Sequence, residues 1–156
     1  RNLVATGIYE LMQHPDQLAL LLPNIDEHLP TARDELLRWT SPVIYMRRTV
    51  KADTILADQQ LHAGDKVVMY YGSANRDSAM FERADELDIT RTPNKHIAFG
   101  GGHHVCLGQW FARLEIDAIL KEVLTRMKNL KPAGDVSWMQ SNFISGLTSM
   151  PVYFER

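Results

Sequence analysis

Apolar residues recur at helical spacing from the start of the chain. Four of them share one face of a first helix: Val4, Ile8, Leu11 and Met12. Pro15 disfavours helical geometry in the residue before it, so this helix should end near His14. Because the pattern starts at Arg1 with no capping residue in front, the chain is expected to begin inside a helix and to be part of a longer sequence.

Two further helices are predicted before residue 42, and a long one in the second half. A short helix is expected over Asp16–Leu22, and Pro30 is expected to open a third with the body Thr31–Trp39, stopping before Pro42. The longest helix should run from about Gly108 to Lys128. Its apolar stripe is formed by Ile116, Ile119, Leu120, Val123, Leu124 and Met127.

Between these helices the pattern changes to short runs rich in Val, Ile, Thr and Tyr, which predict a small sheet. The runs are 43–49, 51–56 and 66–71, whereas 73–98 shows no period and should be a long irregular stretch. After a break at 132–134, short strands are expected around Phe143, Ile144 and Val152–Phe154, joined at Ser145-Gly146. The predicted fold class is mainly α with small β-sheets.

Composition adds few constraints. The 156 residues, 45% hydrophobic and 23% charged, fit one ordinary globular domain. Seventeen basic against 19 acidic residues give a net charge of -2 and no reason to expect nucleic acid or an anionic membrane as partner. No apolar run is long enough for a membrane span in this segment. The single cysteine rules out an internal disulfide and fits a cytoplasmic protein.

The most unusual local sequence lies directly ahead of the longest helix, at 99–108. Its three consecutive glycines allow positive φ and a close approach of the backbone to a flat ligand. Cys106 stands at the helix entrance, where unpaired N–H groups and the helix dipole stabilise a thiolate. Two alternatives remain: Cys106 as a buried small residue, and a zinc site with His103 and His104, although structural zinc sites favour wider spacings and four ligands.

This loop resembles the cysteine-loop signature of the cytochrome P450 family, carried here by Phe99, Gly102, His104, Cys106 and Gly108. The following Ala112-Arg113-Leu114-Glu115 is similar to the helix after the cysteine in bacterial members. The resemblance implies that 1–156 is the C-terminal part of the P450 fold, a partial domain that begins inside the long distal helix. It also implies haem b as cofactor, with its iron ligated by Cys106 and the other signature residues around it.

The resemblance extends upstream. Glu35 and Arg38 lie three residues apart on one helix face, and in the family such a pair joins a later arginine, which Arg91 matches. This triad would tie the irregular stretch to the third helix. Arg47 and His104 are expected at the haem propionates, where charge-assisted donors are suited. The segment Asn75-Arg76-Asp77 is expected to be structural.

The implied function is a haem-thiolate monooxygenase that inserts one atom of O2 into a C–H bond of a hydrophobic substrate. Electrons would come from NAD(P)H through a ferredoxin or flavodoxin and its reductase, with Arg113 and Lys121 as candidate docking cations. Five residues are expected to contact substrate: Val43, Ile44, Tyr45, Phe143 and Ile144.

The segments around 42–48 and 142–147 are similar to those of bacterial members acting on steroid side chains, branched lipids, alkanes or terpenoids. The acid and threonine that deliver protons in the family are expected upstream of Arg1, so the 156 residues alone should be inactive. The alternatives are a non-enzymatic haem-binding sensor module and an inactive partial chain.

Overall fold

The computed structural model describes residues 1–156 throughout, with five α-helices, two single 3₁₀ turns and eight short strands. The helices are α1 (Asn2–Gln13), α2 (Pro15–Leu21), α3 (Ile25–Thr40), α4 (Tyr71–Ala74) and α5 (Gln109–Arg126). The strands are β1 (Tyr45–Thr49), β2 (Thr54–Leu56), β3 (Gln59–Leu61), β4 (Lys66–Tyr70), β5 (Lys128–Pro132), β6 (Ser137–Trp138), β7 (Leu147–Ser149) and β8 (Val152–Glu155). The predicted class, mainly helical with small sheets, is confirmed.

Helix α3 is longer than predicted. It begins at Ile25 and contains Pro30, which was expected to open it. The negative charges of Asp26 and Glu27 in the first turn stabilise the helix through its dipole, whose positive end lies there. Pro30 is exposed, so the Asp26 carbonyl that loses its partner can bind water instead, and the helix tolerates the proline.

The strands form four separate two-stranded antiparallel sheets: β1 with β4, β2 with β3, β5 with β8, and β6 with β7. The strand predicted over 51–56 is confined to β2, which forms a hairpin with the unpredicted β3. Ala57 and Asp58 connect them with φ of 49° and 63°. A two-residue hairpin turn needs positive φ at both positions, and this pair lacks the Asn-Gly or Asp-Gly signal by which such turns are found.

Helix α5 ends at Arg126, so Met127 and Lys128 lie outside it, and Lys128 instead begins β5. Polar residues dominate β5, which therefore shows no apolar alternation in the sequence. Pro132 is its last residue, a place where a strand tolerates a missing N–H.

The core lies between α1, α2, α3, α5 and the irregular stretch. Its most completely buried members are Leu11, Leu21, Ala32, Leu36, Ile89 and Leu120. Gly7 lets α1 approach α3 closely, because a Cβ there would lie 3.2 Å from the Leu36 Cδ1 atom. Of the predicted α5 stripe, Ile116, Leu120 and Leu124 are buried, whereas Ile119 is exposed. None of the helices combines the length and apolar character needed to cross a bilayer.

Candidate functional site

The cysteine loop, residues 99–108, folds back on itself ahead of α5. The Cys106 N–H donates to the Phe99 carbonyl at 2.8 Å, and the Cys106 carbonyl accepts from the Gln109 N–H at 3.2 Å, where α5 begins. Gly100 has a φ of 75°, and a Cβ there would meet the His104 carbonyl oxygen at 3.1 Å. The turn therefore depends on glycine at this position and delivers the exposed Cys106 to the helix entrance.

An open, mainly apolar cavity of about 690 Å³ adjoins the loop. Its loop side contains Phe99, His104 and Cys106. The other walls include Leu3 of α1, Leu37 of α3, Met46 of β1 and Ile116 of α5. A thiol, an imidazole and a broad apolar wall thus face one space.

The predicted substrate contacts divide into two groups. Val43 and Ile144 line the cavity and are joined by an isolated antiparallel bridge. Ile44, Tyr45 and Phe143 do not line it. Tyr45 instead packs edge-on against Phe143, with ring centroids 5.9 Å apart.

The two arginines of β1 point to opposite faces of the strand. Arg47 is exposed, and the Arg48 guanidinium donates to the Arg47 carbonyl at 3.0 Å. Met46 is the residue of β1 that lines the cavity. Neither arginine lines it, so the contact of Arg47 with a haem propionate stays a prediction.

Glu35, Arg38 and Arg91 meet in the interior, with 0%, 0% and 9% of their surfaces exposed. Arg38 donates to both carboxylate oxygens of Glu35, at 2.8 and 2.7 Å, and Arg91 Nε lies 3.1 Å from Oε2. The remaining donors of the two guanidinium groups bind main-chain carbonyls of residues 75, 82, 83, 84 and 86. The triad thus fastens the irregular stretch to α3.

Asn75 forms a second junction and is fully buried. Its amide nitrogen donates to the Ser41 hydroxyl and its amide oxygen accepts from the Ile97 N–H, both at 2.8 Å. Beside it, the Arg76 guanidinium stacks 3.9 Å from the Trp39 ring. These contacts fix the segment that leads into the cysteine loop.

The two candidate docking cations are both engaged within the chain. Arg113 Nε donates to the Asp34 carboxylate at 3.3 Å, and Lys121 donates to Asp26. Burial opposes ionisation of Asp34, yet the nearby His96 ring, the hydrogen bond from Arg33 and the charges of Arg33 and Arg113 hold its pKa well below the usual range. Both cations are paired with carboxylates of α3, and their role in partner docking stays a prediction.

The zinc alternative finds no support in the geometry. No three His, Cys, Asp or Glu side chains are arranged to hold a metal ion, so His103, His104 and Cys106 do not form a metal-binding group by themselves. Gly102 and Gly108 shape the loop without lining the cavity.

Residues 3–154 match the family model described as Cytochrome P450. The chain is 44% identical over 156 residues to a steroid C26-monooxygenase of Mycolicibacterium smegmatis, covering 99% of this chain and 39% of that protein. It is 40% identical to a linalool 8-monooxygenase of Pseudomonas putida, covering 97% of this chain and 37% of the relative. The chain therefore spans well under half the length of these curated relatives.

The comparison with solved structures agrees with the family match. The crystal structure of CYP109E1 from Bacillus megaterium in complex with testosterone superposes with a TM-score of 0.95 at 37% identity, covering 99% of this chain and 43% of that one. Cytochrome P450-153 from Novosphingobium aromaticivorans superposes with a TM-score of 0.93 at 36% identity, covering 99% and 39%. With the cysteine loop, the buried triad and the family match in agreement, the chain belongs to the cytochrome P450 family.

Proposed function

We propose that this chain supplies the thiolate side of a haem monooxygenase, with Cys106 as the axial ligand of the iron. The observation that carries the proposal is the position of Cys106: an exposed thiol at a helix entrance, on the rim of an apolar cavity, in a chain of this family. The cavity and the glycine-shaped loop suit a flat, largely apolar cofactor. When bound, haem supplies the activation of O2 and the insertion of one oxygen atom into a C–H bond.

The residues of the chain hold and orient the cofactor. The bond from the Cys106 N–H to the Phe99 carbonyl fixes the main chain that carries the thiolate. His104 lies at the cavity and offers a donor for a carboxylate at the edge of the ring system. Leu37, Met46 and Ile116 line the same cavity with apolar side chains that would exclude water from it.

Arg47 is the second proposed carboxylate donor, with an exposed side chain on the strand that carries Met46. Arg47→Met should weaken haem retention, because a charge-assisted donor is lost, whereas Arg48→Met should retain the haem. The rate of haem transfer to an excess of apomyoglobin measures the difference. Faster haem loss from Arg48→Met alone would assign the role to Arg48.

The substrate is proposed to be hydrophobic, because Val43 and Ile144 present apolar surface to the cavity. Relatives named as steroid and linalool monooxygenases support the same class. Electrons are proposed to come from NAD(P)H through a ferredoxin or flavodoxin and its reductase. Because the loop from Gly101 to Gly108 is exposed in these 156 residues, we propose that this length alone does not turn over substrate.

The deciding measurement is the absorption spectrum of the reduced, carbon monoxide-bound protein, produced at the full length that its gene encodes. A strongly red-shifted Soret band that is lost in Cys106→Ala supports thiolate ligation, and a histidine-type spectrum in the unaltered protein contradicts it. Substrate-dependent product formation then separates a monooxygenase from a haem-binding sensor.

A further inference from the structure

A second charged cluster lies between α3, α5 and the segment before the cysteine loop, outside the cavity. Its members are Arg33, Asp34, His96, Arg113 and Asp117. Their side chains are at most 28% exposed, so the cluster is an internal network and not a solvated surface. It joins residues up to 84 positions apart in the sequence.

Asp34 is the centre of the cluster. Its Oδ1 atom accepts from Arg33 Nε at 3.0 Å and from Arg113 Nε at 3.3 Å, and His96 Nε2 lies 3.9 Å away. The Ala98 N–H donates to His96 Nδ1 at 3.2 Å, which assigns the ring proton to Nε2, facing Asp34. A permanent anion is therefore surrounded by two arginines and a histidine donor, and it fixes where Arg113 points.

Arg113 reaches the cysteine loop through one aromatic ring. Its guanidinium carbon lies 4.7 Å from the centre of the Phe99 ring, and the His96 ring lies 6.2 Å from the same ring. The carbonyl of Phe99 accepts the Cys106 N–H at 2.8 Å. A continuous line of contacts thus runs from Asp34 through Arg113 and Phe99 to the main chain of Cys106.

We propose that Arg113, held by Asp34 and His96, is a positioning residue for the thiolate loop. It presents its edge to the Asp34 carboxylate and its face to the Phe99 ring, a combination that a planar guanidinium allows and an ammonium does not. By fixing the ring it fixes the carbonyl that holds Cys106. Arg113 does not line the cavity, so it acts on the bound haem indirectly, chiefly through Phe99.

The inference rests on the proposed haem-thiolate function and is tested in the same full-length, haem-loaded protein. Arg113→Met is compared with Arg126→Met, since Arg126 lies on an exposed part of α5 and pairs only with Glu122. The measurements are the midpoint potential of the haem and the rate at which the red-shifted Soret band of the reduced carbon monoxide complex is lost on warming. Arg113→Met should shift the potential and accelerate the loss roughly fivefold to thirtyfold, the ratio expected for a contact of this class. Arg126→Met should do neither.

A double-mutant cycle with Phe99→Leu shows whether the effect passes through the ring. In the Phe99→Leu background, Arg113→Met should shift the potential no further. Arg113→Lys, which keeps the charge without the planar group, should shift it in the same direction but less, and it replaces Arg113→Met if that variant does not fold. An unaltered potential in the Arg113 variants, or an equal shift with and without Phe99, overturns the inference. Absence of the red-shifted band from the unaltered protein instead refutes the proposed function.

Discussion

Glu35→Gln should remove the charge on which two buried arginines depend. The carboxylate accepts two bonds from Arg38, two from Arg91, and one each at 2.9 Å from the Asp88 N–H and the Asn94 amide. Glutamine has nearly the same shape, but its NH₂ group would face arginine donors and leave both guanidinium groups without a counter-charge. Breaking a buried ion pair in this way costs about 3–5 kcal/mol. That is a large part of the roughly 5–15 kcal/mol by which a typical protein is stable.

The loss is measured by urea unfolding and by the ratio of haem absorbance to protein in the full-length protein. The urea midpoint should fall by about 1–3 M, and the purified protein should contain little haem, because the triad holds the stretch that leads into the cysteine loop. Glu122→Gln is the matched control: its exposed pair with Arg126 should contribute at most about 1 kcal/mol. If Glu35→Gln retains haem and unfolds at the same urea concentration as the control, the reasoning is wrong.

Three further results are expected. Gly100→Ala should speed haem loss to apomyoglobin, because the new Cβ would press on the His104 carbonyl. Gly64 also has a positive φ, but no atom lies near its Cβ position, so Gly64→Ala should leave the rate of haem loss unchanged. Because the pKa of Asp34 is lowered in the folded protein, its ionised carboxylate stabilises the fold at pH values above the unfolded-state pKa of about 3.9, and this stabilisation fades as the pH falls below that pKa. Asp34→Asn should therefore flatten the pH dependence of the unfolding free energy below about pH 4. Asn75→Ala should lower the unfolding free energy by roughly 1–3 kcal/mol, as measured by thermal unfolding, because it leaves buried partners unpaired. The exposed Asn142→Ala should cost much less.

The sequence predicts an element correctly where one short segment contains all the residues that define the element. Helix α1 and the body of α5 follow from apolar spacing, and the cysteine loop follows from consecutive residues. The hairpin of β2 and β3 was missed because its strands are three residues long and its turn uses Ala57 and Asp58. The first turn of α3 is not predicted, because proline is common at the first position of a helix and Pro30 therefore indicates a start there. An exposed proline is also tolerated further inside a helix, as it is in α3.

The prediction of site residues on a strand is limited by the need to know which face of the strand each residue occupies. Neighbouring residues of a strand point to opposite faces, so an error of one position exchanges the two faces completely. Arg47 and Arg48 are chemically identical and adjacent, and nothing in their local sequence distinguishes them. The spacing of Arg47 from Glu35 favours Arg47 for the carboxylate contact, and the two methionine variants test that choice.

The ion pairs of α5 could not be predicted from the sequence. Arg113 and Lys121 lie on one helix and suggested a positive surface for an acidic electron donor. Their partners, Asp34 and Asp26, precede them by 79 and 95 positions, a separation at which no local pattern reports pairing. Because partly buried Arg113 stacks on Phe99 instead of facing solvent, its removal should alter the potential of the bound haem more than the salt dependence of electron-donor binding. Comparing these two quantities in Arg113→Met separates a residue that positions the thiolate loop from one that attracts a partner.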